Sequence, residues 1–213
     1  TGTKNTVVGY ESLTENTTGQ ENVAVGYQTL DANTTGDENV AIGYVALGAN
    51  TTGGNNVAVG RVSLDANTTG NKNTAIGNGT LSASNASFNT ALGFEALALD
   101  TTGTRNTAAG HYALRSNTTA NDNTAMGHNA LTANTTGTLN TAFGSKAVDA
   151  LTTGSNNTGI GAEALTSATT CDYNTAVGQN ALKDDTTGSD NNAFGRQALE
   201  NNTTANSNCA FGS

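Results

Sequence analysis

Apolar and polar positions recur along this chain with a period of 17 residues. The unit that starts at Asn39 reads NVAIGYVALGANTTGGN, and the shared pattern is N-T-A-Φ-G-x-x-A-L-x-x-N-T-T-G-x-x, where Φ is a hydrophobic residue of variable size. A fixed short period predicts a repeat architecture. Each unit is numbered 1 to 17 from its first asparagine, which is Asn5, Asn22, Asn39, Asn56, Asn73, Asn89, Asn106, Asn123, Asn140, Asn157, Asn174, Asn191 or Asn208.

The length of the unit predicts one coil of a parallel β-solenoid. At ~3.3 Å per strand residue, such a unit holds two or three short strands, and it is too short for a helical pair or a propeller blade, which take about 34 and 40 residues. Glycine at position 5 and β-branched threonine at positions 2, 13 and 14 disfavour helix. We therefore predict an all-β solenoid of about twelve 17-residue coils, as a single repeat domain over residues 1–213 of a longer protein.

One unit, residues 73–88, has 16 residues instead of 17. It replaces the usual NTTG with Ser84, Asn85, Ala86 and Ser87. Because a one-residue shift within a strand would turn its side chains to the opposite face, we expect a corner to absorb the missing residue. The chain has no proline, which suits coils whose backbones donate hydrogen bonds to their neighbours.

The asparagine at position 1 predicts a ladder along the stack. Identical amides one strand apart can hydrogen-bond donor to acceptor, and both asparagine here and glycine at position 5 tolerate the positive φ of a tight corner. We expect a structural rather than a catalytic role for these residues. The predicted ladder includes Asn22, Asn39, Asn56, Asn73, Asn106, Asn123 and Asn140.

Constrained positions occur as adjacent pairs, 3 with 4 and 8 with 9. Neighbours in a strand point to opposite faces, so the pattern indicates strands packed on both sides. We interpret position 4, for example Ile42, and leucine at position 9 as the core. Alanine at position 3 and the small residue at position 8 then face a second chain of the same sequence. The reverse assignment, with an alanine core and an aliphatic interface, stays open, and both versions predict a parallel homo-oligomer with cyclic symmetry.

The composition excludes several classes of binding partner. Only 35% of residues are hydrophobic, and the net charge is −9. The chain therefore lacks the basic stripe that nucleic acid or an anionic membrane requires, and no apolar run is long enough to span a bilayer. Two cysteines, Cys171 and Cys209, cannot form a disulfide framework. We find no convergent set of catalytic residues and predict neither an enzyme nor a cofactor.

The motifs NVAVG at Asn22, NVAIG at Asn39, NTAIG at Asn73 and NTAVG at Asn174 resemble the head repeats of YadA-like trimeric autotransporter adhesins. The resemblance implies a left-handed parallel β-roll, three chains side by side, displayed outside the cell and binding a host surface protein or glycan. The repeats also resemble those of phage tail-fibre-like proteins, on a virion surface. The unit differs from the adhesin motif by its additional NTTG segment.

Position 6 carries the candidate binding residues. The pattern stacks Tyr10, Tyr27 and Tyr44, followed by Arg61. Aromatic ladders stabilise neighbouring strands and arginine adds a cation–π contact, but the same strip could bind a glycan or a protein. His111 and His128 stack at the same position; no Cys, Asp or Glu shares their column nearby, so we interpret them as solvent-facing and predict no metal site.

The NTTG segment leaves further alternatives. Ranks of threonine at positions 13 and 14 suggest an ice-binding solenoid, although adjacent threonines should point to opposite sides. Uncapped terminal coils suggest end-to-end polymerisation into an extracellular filament. The segment also creates N-T-T glycosylation acceptor sequences, at Asn16, Asn33, Asn50, Asn67, Asn117, Asn134 and Asn202. Our main expectation is a stiff, adhesive segment of an extracellular fibre with multivalent surface contacts.

Overall fold

The computed structural model of the protein describes residues 2–212, which contain strands, turns and bends but no helix. No membrane-spanning helix is therefore present in these residues. The Cα positions form two compact units, Thr1–Arg105 and Asn106–Ser213, and each is described by itself. The prediction of one repeat domain over residues 1–213 stays a prediction.

Every strand covers positions 2 to 4 of its repeat. The first unit contains β1 (Thr6–Val8), β2 (Val23–Val25), β3 (Val40–Ile42), β4 (Val57–Val59), β5 (Thr74–Ile76) and β6 (Thr90–Leu92). The second unit contains β7 (Thr107–Ala109), β8 (Thr124–Met126), β9 (Thr141–Phe143), β10 (Thr158–Ile160), β11 (Thr175–Val177), β12 (Asn192–Phe194) and β13 (Cys209–Phe211).

Successive strands pair in parallel with identical repeat positions opposite each other. In β2 and β3, for example, Ala24 lies opposite Ala41 and Val25 lies opposite Ile42. The same register continues in the second unit, where Ala125 of β8 lies opposite Ala142 of β9. The predicted all-β parallel solenoid, with one coil for each repeat, is confirmed, but each coil contains one three-residue strand instead of the two or three that we predicted.

The core of the coil is thin and consists of alanine and leucine. In the coil of Asn39, Ala41, Ala46 and Leu47 have no exposed surface, whereas Ile42 is 38% exposed. Leucine at position 9 is in the core as predicted, but our preferred assignment of positions 3, 4 and 8 was wrong, and the reverse assignment holds for 3 and 4. The variable side chain at position 4 points outwards, away from the closely packed core of its own coil.

Positions 8 and 9 are both buried because the backbone there is not a strand. Leu47 has φ of 54° and the preceding Val45 has φ of 55°, so the chain turns twice within three residues instead of alternating sides. The small residue at position 8 therefore packs inside its own coil: Ala46, Ser63 and Thr80 are fully buried. Alternation holds only within the three-residue strands.

Left-handed backbone recurs at positions 7, 9 and 17, where most residues are not glycine. Glycine at position 5 also has positive φ, which is 140° at Gly26. A Cβ atom on Gly26 would lie 2.1 Å from the carbonyl oxygen of Gly43 in the next coil, so position 5 requires glycine. The position-1 asparagines are not among the residues with positive φ. Our expectation for them was wrong on this point, since position 17 makes the corner instead.

The short coil keeps its register. Thr74 lies opposite Thr90 and Ile76 lies opposite Leu92, and the corner absorbs the missing residue as expected. There the side-chain Oδ1 of Asn85 accepts hydrogen bonds from the backbone N–H groups of Thr68 and Thr69, both at 2.9 Å. In a regular coil the same two donors share one backbone acceptor, as the N–H groups of Thr34 and Thr35 share the carbonyl oxygen of Thr51, so the asparagine side chain replaces that carbonyl.

Candidate functional surfaces

An apolar column lies on the outer face of the strands in both units. It consists of position 4, which is a hydrophobic residue in every repeat. Several of its members are strongly exposed, including Leu92 at 51% and Phe143 at 54%. Single exposed apolar residues are common, but contiguous apolar surface marks interaction sites. The column contains Val8, Val25, Ile42, Val59, Ile76 and Leu92 in the first unit, and Ala109, Met126, Phe143, Ile160, Val177, Phe194 and Phe211 in the second.

The four residues of the predicted binding strip form a continuous stack in the first unit. Ring centroids are 5.5 Å apart for Tyr10 and Tyr27 and 5.2 Å apart for Tyr27 and Tyr44, with nearly parallel planes. The guanidinium carbon of Arg61 lies 5.6 Å from the centroid of the Tyr44 ring. A hydrogen bond with Glu11 raises the pKa of Tyr10, because the carboxylate disfavours the phenolate.

This stacking limits what the strip can bind. The faces of neighbouring rings lie against each other, so only ring edges and hydroxyl groups face solvent between Tyr10 and Tyr44. Stacking on an aromatic face, which a sugar or a base would use, is therefore restricted to the outer face of Tyr10, which is 65% exposed. The ladder geometry supports a structural role, and ligand binding by this strip stays a prediction.

His111 and His128 repeat the same arrangement in the second unit. Their ring centroids are 5.3 Å apart and their planes differ by 21°. Both residues are exposed, and the ring of Tyr112 tilts against His111 at a centroid distance of 3.9 Å. Within residues 2–212, no group of three or more His, Cys, Asp and Glu side chains is placed to hold a metal ion.

The position-1 asparagines lie at a buried corner and form hydrogen bonds along each unit. Asn22 Oδ1 accepts the backbone N–H of Asn39 at 2.9 Å and its Nδ2 at 3.1 Å. Asn39 Nδ2 also donates to the carbonyl oxygen of Gly53 in its own coil at 2.9 Å. The amide of Asn39 therefore bonds both to the preceding coil and to a carbonyl group at the end of its own coil. Neither aspartate nor leucine can do this, because neither has the donor N–H groups of an amide. All seven asparagines of the predicted ladder are buried: Asn22, Asn39, Asn56, Asn73, Asn106, Asn123 and Asn140.

A second asparagine ladder, which is not among the residues of the predicted ladder, lies at position 12. Asn50 Nδ2 donates to Asn33 Oδ1 at 2.8 Å and to the carbonyl oxygen of Gly53 at 2.9 Å. The signal was present, because asparagine recurs at position 12 as it does at position 1. These residues also belong to the glycosylation acceptor sequences that we left as an alternative, but Asn33, Asn50 and Asn67 are fully buried. A glycan on such a nitrogen is incompatible with this fold.

The second ladder is interrupted where another residue replaces asparagine. Ser84 follows Asn67 in this column and Leu151 follows Asn134, and within residues 2–212 the Oδ1 atoms of Asn67 and Asn134 have no hydrogen-bond donor. Further along, Asp185 is a buried carboxylate. It accepts the backbone N–H of Gly188 at 2.7 Å, and burial raises its pKa.

The acidic residues of the turn before position 1 are partly structural. At position 16, Asp37 Oδ1 accepts a hydrogen bond of 2.7 Å from the backbone N–H of Gln20 in the preceding coil. In the same way, Asp172 Oδ1 accepts a hydrogen bond of 2.6 Å from the backbone N–H of Ser155. Gln20, Glu21, Asp37 and Glu38 line a shallow depression. Some acidic side chains of this turn therefore hold neighbouring coils together.

The two threonine columns have different roles. At position 13, Thr34 Oγ1 donates to the carbonyl oxygen of Thr51 in the next coil at 2.9 Å. At position 14, residues such as Thr35 and Thr52 are exposed. Only one file of threonine side chains is therefore fully presented to solvent, whereas templating of an ice plane needs a two-dimensional array.

The two cysteines lie in different environments, and both are free thiols. Cys171 replaces the position-15 glycine and is buried, and burial raises the pKa of its thiol to about 11. Cys209 is exposed, on strand β13. A pairing of either with a residue outside this chain stays untested.

Comparison with protein-family models, with curated proteins and with solved structures finds no match to this chain.

Proposed function

We propose that this chain is a stiff structural and adhesive segment of an extracellular fibre, in which copies associate side by side. The observation that carries the proposal is the apolar position-4 column on the outer face of each unit. Val25, Ile42 and Val59 lie next to one another there, beside Tyr27 and Tyr44 at position 6. An acidic chain with 35% hydrophobic residues that orders apolar side chains on one outer face has the surface of a self-association site.

The size of this face supports a stable contact. Val25 and Val59 are half-buried, and the more exposed side chains of the first unit run from 38% at Ile42 to 65% at Tyr10. At ~150–250 Å² for a large side chain, the strip amounts to roughly 500–800 Å². A standard interface buries about 800 Å² on each partner, so the face of one unit approaches that size.

The stiffness follows from the ladders. Within each unit, neighbouring coils bond through strand pairing and through side chains at position 1, and in many coils also through side chains at positions 12 and 13. Such a stack resists bending, while positions 6, 7, 10, 11 and 17 present variable side chains for weak multivalent contacts with a surface protein or glycan. The resemblance of the repeat motifs to YadA-like heads favours three chains on a cell surface. The resemblance to phage tail-fibre-like repeats favours a virion surface instead.

Sedimentation velocity over a range of concentrations tests the self-association. We expect the wild-type chain to be an oligomer and the Phe143→Lys variant, which places a charge in the centre of the apolar column, to dissociate. Lysine lowers the net charge of −9 in magnitude, so general repulsion between copies cannot explain dissociation. Thr136→Lys, at an exposed position away from the column, is the matched control and should stay oligomeric.

A wild-type chain that sediments as a monomer at all concentrations would refute the association. Equal dissociation of the two lysine variants would refute the assignment of the face. Labelling of intact source cells or virions with antibodies against this segment tests the location separately, and signal only after lysis would exclude a surface fibre.

A further inference from the structure

The stacked histidines of the second unit are held in register by the backbone. Asn129 N–H donates to the carbonyl oxygen of His111 at 3.0 Å, and Lys146 N–H donates to that of His128 at 2.9 Å. Just before them, Ala109 and Met126 pair in the parallel strands β7 and β8. The two imidazoles are therefore fixed one strand spacing apart on a rigid surface, with freedom only in their side-chain torsions.

The sequence predicted no metal site here because no third protein ligand shares the column; in contrast, we propose that His111 and His128 together bind one divalent transition-metal ion of the class that prefers imidazole, such as Ni²⁺, Cu²⁺ or Zn²⁺. Metal–nitrogen bonds of about 2.0–2.1 Å require the two nitrogens to approach within roughly 4 Å. The ring centroids are 5.3 Å apart, and an imidazole nitrogen lies away from its centroid, so tilting the exposed rings towards each other closes the gap. Water completes the coordination.

The backbone supplies the advantage over two unrelated histidines. Once one imidazole holds the ion, the second is already beside it, so its effective concentration is high and little chain entropy is lost. Single histidines on a surface lack this benefit. The inference depends on the spacing of the pair and is independent of the fibre function proposed above.

The repeat allows a test in which the number of histidines stays constant and only their spacing changes. Ser145 occupies position 6 of the next coil and is exposed. Combining His111→Gln with Ser145→His moves the adjacent pair by one coil. Combining His128→Gln with Ser145→His instead separates the histidines by two coils. Both variants also carry Lys146→Asn, which removes a cation next to position 145.

Nickel chloride is titrated calorimetrically into the untagged wild-type chain, the two spacing variants and the single variant His128→Gln. We expect one ion per chain for the wild type, with similar affinity for the shifted pair and at least tenfold weaker binding for the separated pair and the single variant. Circular dichroism confirms that each variant is folded. Equal binding by the separated pair, or no recovery by the folded shifted pair, would overturn the proposal, as would binding so weak in all four that the ion is adventitious only.

Discussion

Replacement of one ladder asparagine by leucine tests whether the position-1 column holds the coils together. Asn56 Nδ2 donates to the carbonyl oxygen of Gly70 at 2.9 Å and to Asn39 Oδ1 at 3.1 Å. Asn56 Oδ1 accepts the backbone N–H of Asn73 at 2.9 Å and its Nδ2 at 3.1 Å. Asn56→Leu keeps a side chain of similar shape in the corner but removes all four bonds.

The loss of stability in Asn56→Leu depends on which hydrogen-bonding partners of Asn56 keep another bond. Gly70 O keeps the amide of Asn67 at 3.1 Å, and Asn39 Oδ1 keeps the backbone N–H of residue 56 at 3.0 Å. The backbone N–H of Asn73 loses its acceptor while buried. One buried unsatisfied donor costs about 1–3 kcal/mol, and each other lost bond about 1 kcal/mol. Allowing for the apolar surface of leucine, we expect a loss of about 2–4 kcal/mol in the free energy of unfolding.

Equilibrium unfolding in urea, followed by circular dichroism, measures this loss. Asn78→Leu is the matched control, because Asn78 is exposed in the neighbouring coil, and a surface change of this kind is expected within about 0.5 kcal/mol of wild type. A loss below about 1 kcal/mol for Asn56→Leu, or equal losses for both variants, would show that the asparagine column does not stabilise the stack.

Four further outcomes are expected. A Cβ on Gly159 would lie 2.4 Å from Val148 Cγ2, so Gly159→Ala should overpack the core, reduce the free energy of unfolding by about 1–3 kcal/mol and lower the melting temperature. Adding Val148→Leu restores the leucine–alanine pair of other coils and should recover the lost stability. Additive effects of the two substitutions would contradict this coupling. Burial raises the pKa of Asp185, so just above its ordinary value of 3.8 the folded state binds more protons than the unfolded state. The contribution of this carboxyl to stability therefore falls as the pH rises through its folded pKa, and Asp185→Asn should stabilise the chain at pH 7 more than at pH 3. A difference in melting temperature between the variant and the wild type that does not depend on pH would refute this. With its thiol pKa raised to about 11, Cys171 should resist alkylation by iodoacetamide at pH 8 until urea is added, whereas Cys209 should react at once; mass spectrometry of the labelled peptides decides. Because position-13 hydroxyl groups bond to the next coil, we expect no thermal hysteresis in a freezing assay, and a measurable hysteresis would restore the ice-binding alternative.

The sequence predicted the coil because its period is visible in every unit. The direction of individual side chains was harder to predict, because alternation requires strand backbone and the chain leaves that conformation at Val45 and Leu47. Leucine rarely adopts φ near 54°, so its residue type gave no warning. Position 12 was left out of the predicted ladder for a different reason: Asn50 and Thr52 also fit a glycosylation acceptor, and only burial distinguishes the two interpretations.

The same left-handed residues explain why one coil cannot fold alone. Each coil has about three non-glycine residues with positive φ, such as Val45, Leu47 and Asn55, at a cost of about 1–2 kcal/mol for each. The bonds that offset this cost are made between coils, as in the pairing of Val40 with Val57. Stability therefore arises only in the stack, as nearest-neighbour terms. The first coil has a neighbour on one side within the described residues, and all three residues of β1 are exposed. Hydrogen exchange should accordingly be fast in β1 and slow in β3 and β4, and a uniform rate across the first unit would contradict this account.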